Sequence, residues 1–332
     1  MQSGLSIIVC SYNPQKEIFE RVLNAIKEAG LSAKEGIEYL IVDNNSLRPL
    51  ENEEYVQQFL AQTKNSKVIV ELKQGLTSAR IRGIEEATRN WLLFIDDDNE
   101  IDRDFFVQTQ LLIKKLPFVA AFNAGVIRVE YIGEVDEWFM KKGKSHFQES
   151  NISSTVWGND SKSFHHWPFG TGMLIRKDVC DCYLDKVKRS IFTLTDRNGT
   201  VLTSGGDGQL ISCALELGFG VGRSKELRLN HLISSNKATV SYLKRMDYGI
   251  YYSNEWFLKE CFPEHLVLIS RIKEIKLISR TIFLQGIKTI LKGDYKIFSI
   301  QMASIAGRLD GNRAAFGKKR PAWLRILSKN YV

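Results

Sequence analysis

Only six prolines and five cysteines occur among the 332 residues. With 24 glycines and no Gly-X-Y period, collagen is excluded, and a content of 44% hydrophobic and 25% charged residues excludes a disordered chain. The cysteines, Cys10, Cys180, Cys182, Cys213 and Cys261, form neither a CxxC pair nor a zinc ladder. An odd, scattered set of this kind suits a reducing compartment. No apolar run approaches the ~18 to 20 residues that span a bilayer, because the stretch near Leu266 is broken by Arg271, Lys273 and Glu274. The start, MQSGLSIIVCSYNP, has no basic segment before its five apolar residues, which points away from a signal peptide and toward the cytosol. A Walker A lysine motif is also missing, and GFGVG at Gly218 to Gly222 lacks dinucleotide spacing, so it reads as a helix end turning into a strand.

Charge of one sign is scarce in one region only. The net charge is +8, but from Asn236 onward 18 Lys and Arg face seven Asp and Glu, while residues 1–235 are slightly acidic. A basic segment on a near-neutral domain suggests an anionic surface as partner. The pattern before it is α/β. Leu5 to Cys10, Tyr39 to Val42, Val68 to Val70 and Trp91 to Ile95 are short apolar runs that read as buried strands. Between them Ile18 to Ala29, Glu54 to Gln62 and Ser78 to Thr88 carry helical spacing, which implies βαβ units and a parallel sheet. Gly172 to Arg176 is a further candidate strand and Asp207 to Leu217 a further helix.

Ligands of open α/β sheets lie beyond the carboxyl ends of the strands. Those ends are polar here: Ser11, Tyr12 and Asn13 after the first strand, Asp43, Asn44 and Asn45 after the second, Asp96, Asp97, Asp98 and Asn99 after the fourth. Three consecutive carboxylates repel one another unless a cation offsets them, and hard oxygen ligands suit Mg²⁺ or Mn²⁺. Asp43 can accept the N3 hydrogen of uracil. Ser11 and Tyr12 can frame the base, and Arg80, with Arg82 as a second candidate, can meet a diphosphate near a helix N-terminus. Asp207, after Gly205 and Gly206, can take the proton of an acceptor hydroxyl or simply cap its helix. Trp167 can stack on a sugar ring.

Taken in order, the motifs SIIVCSYNP, YLIVDNNS, GLTSARIRGIEEAT, WLLFIDDDN, FGTGMLIR and SGGDGQL with the later His231 resemble the family 2 glycosyltransferases of GT-A type, over about residues 4 to 235. The resemblance implies a GT-A-like, Rossmann-related, mostly parallel α/β sheet flanked by helices, with a basic helical C-terminal extension. It divides the chain into a catalytic domain at 1–235, with a nucleotide-binding half at 1–125 and an acceptor-binding half at 126–235, followed by a helical region at 236–332. The activity it implies is an inverting transfer from a nucleotide-diphosphate sugar, UDP-linked, to an acceptor hydroxyl in cell-surface polysaccharide synthesis. Asp98 and Asp96 would bind Mn²⁺ or Mg²⁺, joined by His231; Ser11, Tyr12, Asp43, Arg80, Asp96 and Asp97 would line the nucleotide. Asp207 would be the base. Trp167, Gly170, Thr171 and Gly206 would lie toward a saccharide or lipid-linked saccharide acceptor, with Gly206 standing where the family carries Glu.

Two other readings compete. A nucleotidyltransferase needs a glycine-rich basic loop after the first strand, which SYNPQKE does not supply. A non-catalytic binding module would have no use for Asp207. In the basic region Ile272, Ile275, Ile278 and Ile282 recur at helical steps, with Lys273, Lys276 and Arg280 on another side. Such a helix packs its stripe on a neighbouring domain, or its cations hold the protein at the inner face of an anionic membrane. No aromatic-interleaved motif accompanies these charges, so nucleic acid is not expected as a partner.

Overall fold

The computed structural model describes residues 2–33, 36–161, 164–198, 202–292, 294–329 and 331. The chain divides into two compact units, Met1–Arg189 with Leu210–Ser235, and Ser190–Gln209 with Asn236–Val332. The segment 190–209, assigned from sequence to the acceptor-binding half, thus groups with the C-terminal helices.

The first unit begins with β1 (Gln2–Ser11), α1 (Lys16–Ser32), β2 (Ile37–Asp43), α2 (Glu54–Gln62), β3 (Ser66–Val70), α3 (Leu76–Glu86) and β4 (Arg89–Asp96). Each strand read from an apolar run is present. β2 is buried at every residue, as a central parallel strand with both faces covered must be. Phe19, Val22 and Ile26 of α1 pack into one core with Ile7, Ile41 and Leu93. Each fully buried side chain of this kind contributes about 1.5–3 kcal/mol.

β5 (Asn99–Ile101), α4 (Phe105–Lys115), β6 (Val119–Ile132), β7 (Ser150–Asn151), β8 (Val156–Gly158), β9 (Met173–Arg176), α5 (Lys177–Lys188), α6 (Gly206–Glu216) and β10 (Gly220–Ser234) follow. The sheet order is β3-β2-β1-β4-β9-β6-β10-β5, with β7 on β6 and β8 on β10. Here the expectation of a mostly parallel sheet is corrected. β1, β2, β3 and β4 pair in parallel, but β9 inserts antiparallel between β4 and β6. β10 is parallel to β6 and antiparallel to β5 and β8, so the sheet is mixed. The physical reason is that β9 follows a long irregular stretch and not a crossover helix, so nothing obliges it to run parallel. The GFGVG turn is structural: Gly218 takes φ +80° after α6, and Gly218 and Phe219 donate back to the Leu215 and Ala214 carbonyls.

The second unit holds α7 (Val240–Cys261), α8 (Arg271–Lys292), α9 (Tyr295–Ala315) and α10 (Ala322–Ser328). Gly307 and Gly311 let α9 lie against the α7 backbone, since a Cβ at either would come 2.2 or 2.3 Å from the Tyr248 or Tyr252 carbonyl oxygen. Of the isoleucine stripe, only Ile278 packs on the helical core. Ile272 is 79% and Ile275 59% exposed, because α8 turns Glu274 inward to Arg313, at 2.5 Å, and packs Leu277 and Ile278 on the helical core.

Candidate active site

Register places the polar strand ends together. Ser11 pairs with Asp43 across β1 and β2, and Cys10 with Asp96 across β1 and β4. The carboxyl edge of three adjacent strands therefore carries Ser11, Asp43 and Asp96 side by side. Ser11 Oγ donates to Asp97 Oδ2 at 2.6 Å. Tyr12, the next residue, is exposed.

Asp43 is buried and folds the following turn around itself: Oδ1 accepts from the Ser46 amide and Oδ2 from the Leu50 amide, each at 2.9 Å. Asn44 does similar work for the next loop. Its Nδ2 donates to the Glu71 and Lys73 carbonyls, and its Oδ1 accepts from the Gly75 amide at 2.7 Å. Gly75, at φ +122°, turns the chain into α3. Gly83 then seats α3 on the sheet, since a Cβ there would meet Ile8 Cγ2 at 2.5 Å. One turn earlier Arg80 is buried, over the Phe94 ring and 3.8 Å from Asp96 Oδ1. Arg82 instead pairs with Glu86 at 2.9 Å, on the outer side of the helix.

The acidic triplet ends in a short strand that is firmly held. Arg21 of α1 donates to both oxygens of Glu100, at 2.9 and 2.8 Å, and these bonds hold that carboxyl below the usual carboxylate range. β5 pairs with β10 in a register that sets His231 opposite Asn99. As a result His231 Nε2 lies 3.4 Å from Asp98 Oδ1, while Nδ1 is 2.9 Å from the Phe147 carbonyl oxygen. A carbonyl can only accept, so Nδ1 carries the hydrogen and Nε2 presents either a lone pair or a second proton to Asp98. Asp98 Oδ1 also accepts from the Asn99 side-chain amide at 3.1 Å.

Among the described residues no group of three or more His, Cys, Asp or Glu forms a metal cluster. The pair Asp98 and His231 nonetheless fits a divalent ion of the kind that takes one or two carboxylates and completes its shell with phosphate oxygens and water.

Toward the other expected face, Thr171 is buried next to Gly170 and its hydroxyl donates to Gln148 Oε1. Gln148 takes φ +62°, immediately after Phe147, so one turn ties both His231 and Thr171. Neither Phe147 nor Gln148 was legible beforehand, because Phe147 acts through its backbone carbonyl and Gln148 meets a side chain 23 positions away. Trp167 is buried and donates its indole N–H to the Asp160 carbonyl at 3.3 Å, so its ring packs within the unit.

Gly206 and Asp207 belong to the second unit. The buried Asp196 caps the first turn of α6, its Oδ1 accepting from the Gly205 and Gly206 amides at 2.8 and 2.9 Å. A Cβ on residue 206 would come 2.4 Å from Asp196 Oδ2, which explains why glycine stands there. With Asp196 as cap, Asp207 lies inside the first turn and not at its N-cap. Glu260 anchors the preceding loop through the Thr193 and Leu194 amides, the Gln209 amide group and the Trp256 indole.

No curated protein matches the sequence. Crystal structures of S. aureus TarS are similar in fold. The form of residues 1–349 in complex with UDP-GlcNAc shows 12% identity and a TM-score of 0.48, over 96% of this chain and 93% of that one. The longer TarS chain shows 14% identity and a TM-score of 0.47, and this chain spans 54% of its length. The profile of Glycosyl transferase family 2 matches residues 6–184, more than half of the chain. The protein therefore belongs to glycosyl transferase family 2 and is a glycosyltransferase acting on nucleotide-sugar donors.

Proposed function

We propose that the protein is an inverting, metal-dependent transferase that moves a sugar from a UDP-linked donor to a saccharide or lipid-linked saccharide acceptor in cell-surface polysaccharide synthesis. The observation that carries this reading is the strand-edge alignment of Ser11, Asp43 and Asp96, with Asp98 facing His231 beside it. Ser11 and Tyr12 bound the base, and Asp43, whose turn it also shapes, accepts from uracil. Arg80, buried against the sheet, offers its guanidinium to the diphosphate.

Asp98 and His231, with Asp96 and Asp97 beside them, would hold Mn²⁺ or Mg²⁺. Such an ion neutralises charge on a departing diphosphate. The carbonyl of Phe147 keeps His231 in the tautomer that turns Nε2 toward the site. Asp207 accepts the proton of the acceptor hydroxyl, and the Asp196 cap holds the turn from which it does so. Gly170 and Thr171 would lie toward the acceptor.

The protein works in the cytoplasm at the membrane face. No helix among the described residues is long and apolar enough to cross a membrane. α8 instead presents Ile272, Ile275, Ile282 and Phe283 to solvent, flanked by Lys273, Lys276 and Arg280, the composition of a helix lying in an anionic interface.

The test is transfer and hydrolysis with a panel of nucleotide-sugars in Mn²⁺, Mg²⁺ or chelator, alongside calorimetric titration of UDP. A UDP-sugar should turn over only with metal, and Asp98→Ala should weaken metal-dependent UDP binding by roughly tenfold or more. Unchanged affinity in Asp98→Ala, or full turnover in chelator, would end the metal assignment.

A further inference from the structure

The second unit contains a cavity of about 320 Å³, within the range of small-molecule sites at roughly 300 to 1,000 Å³. Its wall carries four cations, Arg245, Arg313, Lys318 and Arg320, against the single carboxylate of Asp310. Tyr248, Tyr252 and Tyr331 supply aromatic surface, with Tyr248 and Tyr252 stacked at 6.2 Å and Tyr331 tilted against Tyr248 at 5.7 Å.

The polar wall is built and not incidental. Asp310 is 4% exposed, and its carboxylate accepts from Arg320 Nε and from the Tyr248 hydroxyl, both at 2.7 Å. The same guanidinium also donates to the Tyr248 oxygen at 3.0 Å and to Ser328. Arg313 is held by Glu274. The two guanidinium forks are thereby fixed in place, and fixed forks lose little freedom on binding an oxyanion. Lys318 is exposed to solvent and adds a further cation.

The remaining wall is Leu202 and Thr203, in the loop that leads to Asp207. Gly249 of α7 accepts this loop closely, since a Cβ there would lie 2.1 Å from the Leu202 carbonyl oxygen. Thr203 Oγ1 donates to the Asp196 carbonyl at 3.3 Å, and Asp196 is the residue that caps the turn carrying Asp207.

We infer that this cavity is an acceptor subsite that binds an oxyanion carried on a sugar, a phosphate or a uronic carboxylate. Cations recognise the charged group, and tyrosine faces suit the apolar side of a pyranose. Neither is called for by the donor, which the first unit serves. The acceptor role rests on Asp207 being the base of the transfer reading; the binding itself does not.

Calorimetric titration of the full chain with glucose 6-phosphate, glucuronic acid, inorganic phosphate and glucose provides the test. One or both charged sugars should bind in the millimolar range, better than inorganic phosphate and far better than glucose, and whichever binds names the anion. Lys318→Glu and Tyr252→Ala should each weaken that binding roughly fivefold with UDP affinity unchanged, and Lys318→Glu should melt as the parent does. Asp207→Asn should bind the charged sugar as the wild type does, so failure of the base assignment and failure of the subsite give different results. Equal binding of glucose, no binding of either charged sugar, or full affinity in both cavity variants would overturn the inference.

Discussion

In the helical unit three buried carboxylates each have their own cation: Asp310 with Arg320, Glu274 with Arg313, and Glu255 with Arg308 at 3.1 Å. At the sheet edge three consecutive aspartates meet one buried arginine, one histidine and one serine hydroxyl. A carboxylate matched one to one adds order to a fold and has little left to offer a ligand. Carboxylates crowded at a strand end repel one another, and a cation arriving with a substrate relieves that repulsion. The difference separates carboxylates that hold the protein together from carboxylates that bind.

The largest expected effect falls on the one carboxylate of the second unit assigned to chemistry. Asp207→Asn should retain UDP affinity while transfer falls by about 10² to 10⁴-fold, the worth of a positioned general base. Turnover at saturating donor measures it, with circular dichroism as the folding control. Because Asp196 already caps α6, near-normal transfer would leave Asp207 with neither role and move it to the structural side of the comparison.

The next effect is on stability and has opposite signs in the two regions. Asp310→Ala strands the Arg320 guanidinium among Tyr248 and Ser328; that side chain is 37% exposed, so water offsets part of the ~3–5 kcal/mol that breaking a fully buried pair costs. Asp98→Ala removes one of three crowded charges, and urea unfolding should show it as stable as the parent or slightly more so. A large loss at position 98 together with none at 310 would invert the distinction between the two kinds of carboxylate.

Much of the first unit could be read directly because its strands are short, apolar and bounded by polar clusters. Tyr39 to Val42 became the core of β2, and Glu54 to Gln62 matched α2 residue for residue. β6 escaped because VAAFNAG at its start is small and partly polar, a composition that only burial inside the sheet turns into a strand. β10 opens on Gly220, Gly222 and Arg223, and its alternation becomes clear only at Leu227 and Leu229. At the site, the side chains beyond β1, β2 and β4 were visible as polar clusters. The Phe147 carbonyl that orients His231 and the Glu260 anchor were not, because each joins residues far apart in sequence, and the Asp196 cap was not, because it lies nine residues ahead of the turn it caps and not at the helix start.

The smallest effect on stability concerns α8, whose apolar stripe is divided between the helical core and solvent. Leu277 and Ile278 face the helical core, and Ile272 and Ile275 lie open beside Lys273 and Lys276. Replacing exposed side chains usually changes stability by no more than about 0.5 kcal/mol, so the double variant Ile272→Asp, Ile275→Asp should melt as the parent does. Its binding to vesicles should nevertheless fall, because two apolar contacts are lost and two negative charges are set against an anionic surface. Co-sedimentation with anionic and neutral vesicles at low and high salt reads this out. The parent should be retained by anionic vesicles at low salt and released by high salt, which screens the lysines and arginine but leaves the isoleucines unchanged. A parent chain that no vesicle retains at low salt would show that the open stripe faces something other than lipid, and the helical unit would then keep its basic charge for the cavity alone.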